Sequence, residues 1–184
     1  DGVDEIKRLI SKGKNKAALS KAKQYHKRIA TKKSEMILVD AYVARIYEMI
    51  AKGFIAEATA LLKTVRARYR CPEHRVFELT GVMAVREGRV AELVRPLEDP
   101  GISAEQRTII EKIIKNELVD LEILAQSNTL SSEHPLKTGA LAVAEAFAKV
   151  TSGFTRDEEI ALPAISRRSP LAPWKIFIKA LAYF

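Results

Sequence analysis

Apolar residues return every three or four positions through most of this chain, and no segment of useful length alternates apolar with polar side chains. That spacing lays one stripe along a helix, whereas a half-buried strand needs a period of two. Ala18, Ala22, Tyr25 and Ile29 follow at intervals of 4, 3 and 4. Met36, Val39, Val43, Ile46 and Ile50 keep the same register, and so do Phe54, Ala58, Leu61, Val65 and Tyr69. The fold is therefore expected to be all-α, with about ten helices joined by short connections.

Turn formers divide the stripes. A first helix is expected over about 3–12, ended by Gly13, and a second over about 15–30, with Asn15 as its cap. A third, capped by Ser34, spans about 34–52 and stops at Gly53. A fourth spans about 54–69 and is broken by Cys71-Pro72. A fifth runs about 73–87 to Gly88, and a sixth about 89–97 to Asp99-Pro100-Gly101. Ser103 and Gln106 form a capping box for a helix striped by Ile110, Ile114, Leu118, Leu121 and Ala125. Pro135 opens an Ala-rich helix over about 136–151. Thr155 and Glu158 suggest a further capping box, for a helix over about 156–168 interrupted by Pro163. Ser169-Pro170 starts the last helix.

The net charge of +8 is local. Residues 1–33 hold eleven Lys and Arg against three acids, and the remaining residues are neutral. The ordinary reading is a solvated helix face. A patch of this kind also attracts polyanions, and Lys16, Lys23 and Lys27 are its candidate anion-binding residues. Nucleic-acid binders usually interleave aromatic rings with such cations. Tyr25 is the only Phe, Tyr or Trp in that segment, and it falls on the apolar side.

An internal repeat sharpens the architecture. Gly53-Phe54-Ile55-Ala56-Glu57-Ala58 resembles Gly88-Arg89-Val90-Ala91-Glu92-Leu93 at an offset of 35 residues, and Gly13 with Ala18 repeats the spacing from Gly to small residue. A glycine permits the positive-φ turn between antiparallel helices, and a small residue one turn later lets the pair pack closely. Helix pairs cannot bury their stripes alone, so they stack into a solenoid.

On these residues the chain resembles the tetratricopeptide repeat (TPR) family, over about residues 3–100. Around Gly53 the matching positions are Tyr42, Gly53 and Ala58, with Leu62 at a usually aromatic place and Pro72 two residues late. Around Gly88 they are Phe77, Gly81 and Gly88, with Leu93 and Leu97 conservative. Ile46 and Leu93 depart from the small residues of the pattern. The resemblance implies a right-handed α-solenoid of antiparallel helix pairs. A HEAT-type solenoid and a non-repetitive bundle remain the alternatives. The whole chain, 1–184, is read as one helical-repeat domain: TPR-like pairs over 1–101 and further helical pairs over 102–184. It starts without Met and stops within the apolar run after Trp174, so a piece of a longer protein is expected.

Sites for chemistry are sparse. His26, His74 and His134 give no i, i+4 pair, and Cys71 with His74 makes only half a metal site. Cys71, just before a helix start, is a candidate reactive thiol. Phosphate-binding loops and nucleophile elbows are missing from the sequence. The expectation is no enzyme, no metal and no cofactor. A single Cys cannot build a disulfide scaffold within the chain, and no run approaches the ~18 apolar residues of a membrane span. A cytoplasmic protein without a membrane partner is expected.

The expected function is that of a non-catalytic scaffold for a protein or peptide. By the family resemblance, the first helix of each pair lines a concave groove. The groove positions would be Lys7, then Asp40, Val43 and Tyr47, then Arg75, Glu78, Val82 and Arg86. The carboxylate clamp of some family members is unmatched, since Asn15, Asn116 and Asn128 all miss the groove. The alternative is an RNA- or anion-binding array that uses the basic N-terminal helix pair.

Overall fold

A computed structural model of the chain describes residues 2–117, 119–153, 156–160, 162 and 165–183. Among them all regular structure is helical, and there is no strand. The chain divides into two compact units, Asp1–Glu87 and Gly88–Phe184.

The first unit contains α1 (Gly2–Ser11), α2 (Asn15–Ile29), α3 (Lys32–Ala51), α4 (Ile55–Arg68) and α5 (Glu73–Arg86). Its turns follow from glycine. Gly13 and Gly53 take φ of 68° and 81°. In both turns the residue after the glycine donates back to a carbonyl five residues earlier: Lys14 N–H to Leu9 and Phe54 N–H to Met49, both at 2.9 Å. This closes the orphan carbonyls of the preceding helix. Five residues after each glycine, Ala18 and Ala58 are fully buried, where larger side chains would force the pairs apart.

α3 is the hub of this unit. It packs on α1, α2, α4 and α5. Ile37, Leu38, Ala41, Tyr42, Ile46 and Ile50 are all buried, so its apolar surface extends well beyond one stripe. Ile6, Ala22 and Val65 bring α1, α2 and α4 onto this surface. Three apolar residues expected to face inward stand in solvent instead: Met36, Phe54 and Ile29. Met36 lies in the opening turn of α3, Phe54 sits outside α4 at its N-cap, and Ile29 ends α2. Phe54 and Ile29 thus fall at helix ends, whereas Met36 sits on the solvent side of α3 between the buried Ser34 and Ile37.

The N-terminus of α3 corrects the sequence reading. Thr31, not Ser34, is the cap. Its hydroxyl accepts from Ser34 N–H at 3.2 Å, and Ser34 Oγ accepts from Thr31 N–H at 3.0 Å. Ser34 is 1% exposed and also shares a 2.8 Å hydrogen bond with His26 Nδ1.

The second unit contains α6 (Val90–Val94), which runs on as a 3-10 turn over Arg95–Glu98, then α7 (Ala104–Asn116), α8 (Leu121–Ala125), α9 (Pro135–Thr151) and α10 (Ala172–Ala182). α8 and α10 both pack on α9. The Ser103–Gln106 capping box is present. The single helix expected to continue through Ala125 is two. α7 stops at Asn116, and Asp120 caps α8 by accepting from Glu122 N–H at 2.8 Å. Leu118 lies outside the described residues. Among the described residues, the helix expected over 156–168 leaves only a 3-10 turn, Asp157–Glu159, while Thr155 and Pro163 fall outside them. Gly139 admits Leu171 so closely that a Cβ there would lie 2.8 Å from its Cδ1.

Two predictions follow from local geometry. Ala30 ends α2 with φ 48° and ψ 40°, a left-handed conformation that penalises any Cβ. Ala30→Gly should raise stability by about 1 kcal/mol and the melting temperature by about 2–4 °C. An unchanged or lowered melting temperature would contradict the assignment of strain. Near the end of α3, Glu48 accepts from Lys52 and pairs with Arg45 at 2.8 Å. The Lys52 hydrogen bond, followed by that of Arg45, holds the carboxyl at about 2, below its usual 4.5. A folded-state value below the unfolded one adds stability above about pH 4.5, and this is lost as pH falls toward about 2. Glu48→Gln should therefore lower the urea midpoint at pH 7 more than at pH 2.5. An equal loss at both pH values would rule out the linkage.

Candidate functional site

An apolar concavity of the first unit opens between α1, α3 and α5, with a volume of about 430 Å³. α1 contributes Ile6, Lys7 and Ile10, α3 contributes Asp40, Val43 and Tyr47, and α5 contributes Arg75. The 3–4 spacing places the α3 residues on one helix face. Ile6 and Val43 are buried, so the floor is the outer surface of the core itself. Tyr47 is half-buried along the wall.

Charge is confined to the rim. Arg75 Nη1 stands 3.0 Å from Asp40 Oδ1, with both side chains substantially exposed. An exposed pair of this kind contributes about 0–1 kcal/mol, so its main effect is to hold the guanidinium over the groove. The remaining guanidinium N–H groups can still meet a carboxylate. Lys7 is exposed and makes no ion pair among the described residues.

Four of the six residues expected in a groove thus share one: Lys7, Asp40, Tyr47 and Arg75. Glu78 and Arg86 do not line it. Both are on α5, one half-buried and the other exposed. The expected equivalence between stacked helices fails one turn further along, where Val82 is buried although its counterpart Tyr47 is not.

Compared with known proteins, the chain matches no family model, no curated protein and no solved structure. The tetratricopeptide resemblance therefore stands on the residues quoted for it alone.

The basic segment forms a second surface. Lys16, Lys23 and Lys27 are all exposed along α2. Lys23 Nζ lies 5.3 Å from the centre of the Tyr42 ring, a cation–π contact. Lys21 pairs with Glu5, and that hydrogen bond lowers the Glu5 carboxyl below its usual range. Tyr25 packs inward against Gly2 of α1, on the apolar side as expected.

Two further rings reach this surface, and the sequence reading missed both. His26 meets Tyr69, the residue after α4, edge to face with centroids 6.0 Å apart. Tyr69 in turn lies 5.8 Å from Tyr42. The intervals between them in the chain carry no signal, since only the packing of α2, α3 and α4 brings them together.

Reactive chemistry finds little support. Cys71 is half-buried, and desolvation pushes its thiol above the usual range, the opposite of an activated nucleophile. No group of three His, Cys, Asp or Glu suited to a metal occurs among the described residues. His134 has a structural role: its Nδ1 accepts from Leu136 N–H at 3.2 Å and caps α9. No helix among the described residues is long and apolar enough to cross a membrane.

Ser34 gives a prediction for the second surface. Ser34→Ala removes the reciprocal cap of α3 and the partner of His26. It should cost about 1–2 kcal/mol, and the His26 imidazole resonances should move in NMR spectra. Unperturbed His26 signals would mean that the ring does not depend on Ser34.

Proposed function

We propose that the first unit is a non-catalytic peptide-binding module, in which the groove between α1, α3 and α5 receives a segment of a partner protein. The observation that carries this reading is the composition of the groove: an apolar floor on the core, one aromatic wall at Tyr47, and charge only at the rim. An open strip of this kind fits an extended or helical segment better than a metabolite, which is usually enclosed on most sides.

The charge of the rim favours an acidic occupant. Lys7 and Arg75 are the cations there, Asp40 is already paired with Arg75, and the unit holds nineteen Lys and Arg against ten acids. The favoured segment carries aliphatic or aromatic anchors flanked by carboxylates. Tyr and Arg are also the residue types that most often anchor interfaces. The helical-repeat reading draws support from the contacts of α1 with α3 and of α3 with α5, the first helices of successive pairs.

Short peptides displayed on phage and selected on the full chain should be enriched in Leu or Phe beside Asp or Glu. Tyr47→Ala combined with Arg75→Glu should weaken the selected peptides by about tenfold or more, and it should leave the melting temperature nearly unchanged. Peptides that bind the double variant as tightly as the parent would remove the groove from consideration.

A further inference from the structure

The seam between α2 and the C-terminal end of α4 gathers features that the peptide groove does not use. Burial and the neighbouring Tyr42 hydroxyl push the Tyr69 phenol up, while the charges of Arg68 and Lys23 pull it down. Lys23 also stands 5.3 Å from the centre of the Tyr42 ring that Tyr69 packs against. Tyr69 and His26 are half-buried, recessed between the helices and still open to solvent.

Cations surround these rings. Residues 16–33 contain seven Lys and Arg and no acid. Lys16, Lys27, Arg28, Lys32 and Lys33 are exposed and make no ion pair among the described residues. α4 ends with Arg66 and Arg68, and Arg70 follows. The acids of this region are already engaged, Glu35 with the backbone N–H of Arg70 at 2.8 Å and Glu73 with Arg66 at 3.8 Å.

We propose that this seam binds single-stranded RNA, with the cations of α2 and α4 on its phosphates and the Tyr69–His26 pair against a base. The distance from Lys16 to Lys27 along α2 is about 16 Å, long enough to follow several phosphates. Rings recessed between helices can meet an unstacked base and cannot reach one inside a duplex. A membrane surface fits less well. Interfacial helices present a continuous apolar face, whereas the exposed side of α2 carries Lys16, Ser20, Lys23, Gln24 and Lys27.

The test uses the full chain and a fluorescent oligouridine, followed by anisotropy. With about four phosphates engaged, log K should fall against log salt with a slope of about −3. Lys27→Glu with Arg68→Glu should weaken binding by about tenfold or more. The charge-matched pair Lys12→Glu with Lys52→Glu, at the Gly13 and Gly53 turns toward the opposite end of α2 from His26, should weaken it by about twofold or less. Tyr69→Leu should lower affinity for the oligouridine and leave affinity for heparin, which has no bases, unchanged, and Tyr69→Phe should restore it. Equal weakening by the two charge pairs would reduce the seam to diffuse attraction and overturn the proposal. So would tighter binding to phosphatidylserine vesicles or to duplex RNA, or no binding at about 50 mM salt. The two charge pairs decide the matter even if Tyr69→Leu does not fold. Since the groove lies apart from these residues, peptide binding and RNA binding can fail independently.

Discussion

Every helix of the first unit takes its position from α3. A helix with neighbours on several sides cannot keep a polar half, and α3 does not: Ile37, Leu38, Ala41, Tyr42, Ile46 and Ile50 are buried around much of its circumference. Each fully buried Leu or Ile contributes about 1.5–3 kcal/mol by transfer from water. Losing one also opens a cavity that close-packed neighbours fill only in part. The start of α3 is fixed with comparable economy. One buried hydroxyl, that of Ser34, serves the cap at Thr31 and the His26 ring on the adjacent helix.

The helical character of the chain was legible because it depends on local periodicity and turn chemistry. Gly13, Gly53 and Gly88 all take the positive φ that their positions between helices demand. Boundaries failed where a tertiary or capping contact decided the matter. Thr31 displaced Ser34 as the cap because both are good N-cap residues, and the hydrogen bond to His26 that accompanies Ser34 inside the helix is a tertiary contact. The stripe of Ile110, Ile114 and Leu121 is buried on both sides of a break, although α7 and α8 are separate. Periodicity records which face is buried and is silent about whether the backbone between is continuous.

The candidate groove was partly legible for the same reason. Asp40, Val43 and Tyr47 share a face by helical register alone, and Lys7 and Arg75 join them through the contacts of α1 and α5 with α3. Glu78 and Arg86 drop out because α5 turns Val76, Leu79, Val82 and Met83 inward. The aromatic seam was not legible at all. Tyr69 approaches His26 and Tyr42 across three helices, and no spacing in the sequence encodes that distance.

The connection after α4 does mechanical work beyond joining two helices. Glu35 clamps the backbone of Arg70 to the first turn of α3, and Pro72 holds φ near −58° just before α5. Tyr69 stands at one end of this short strut and Arg75 at the other, on different faces of the unit. The segment between them is short, and the Pro72 ring fixes one of its few soft dihedrals. A change at Glu35 or Pro72, neither of which lines the groove, shifts the aromatic seam and the groove rim together.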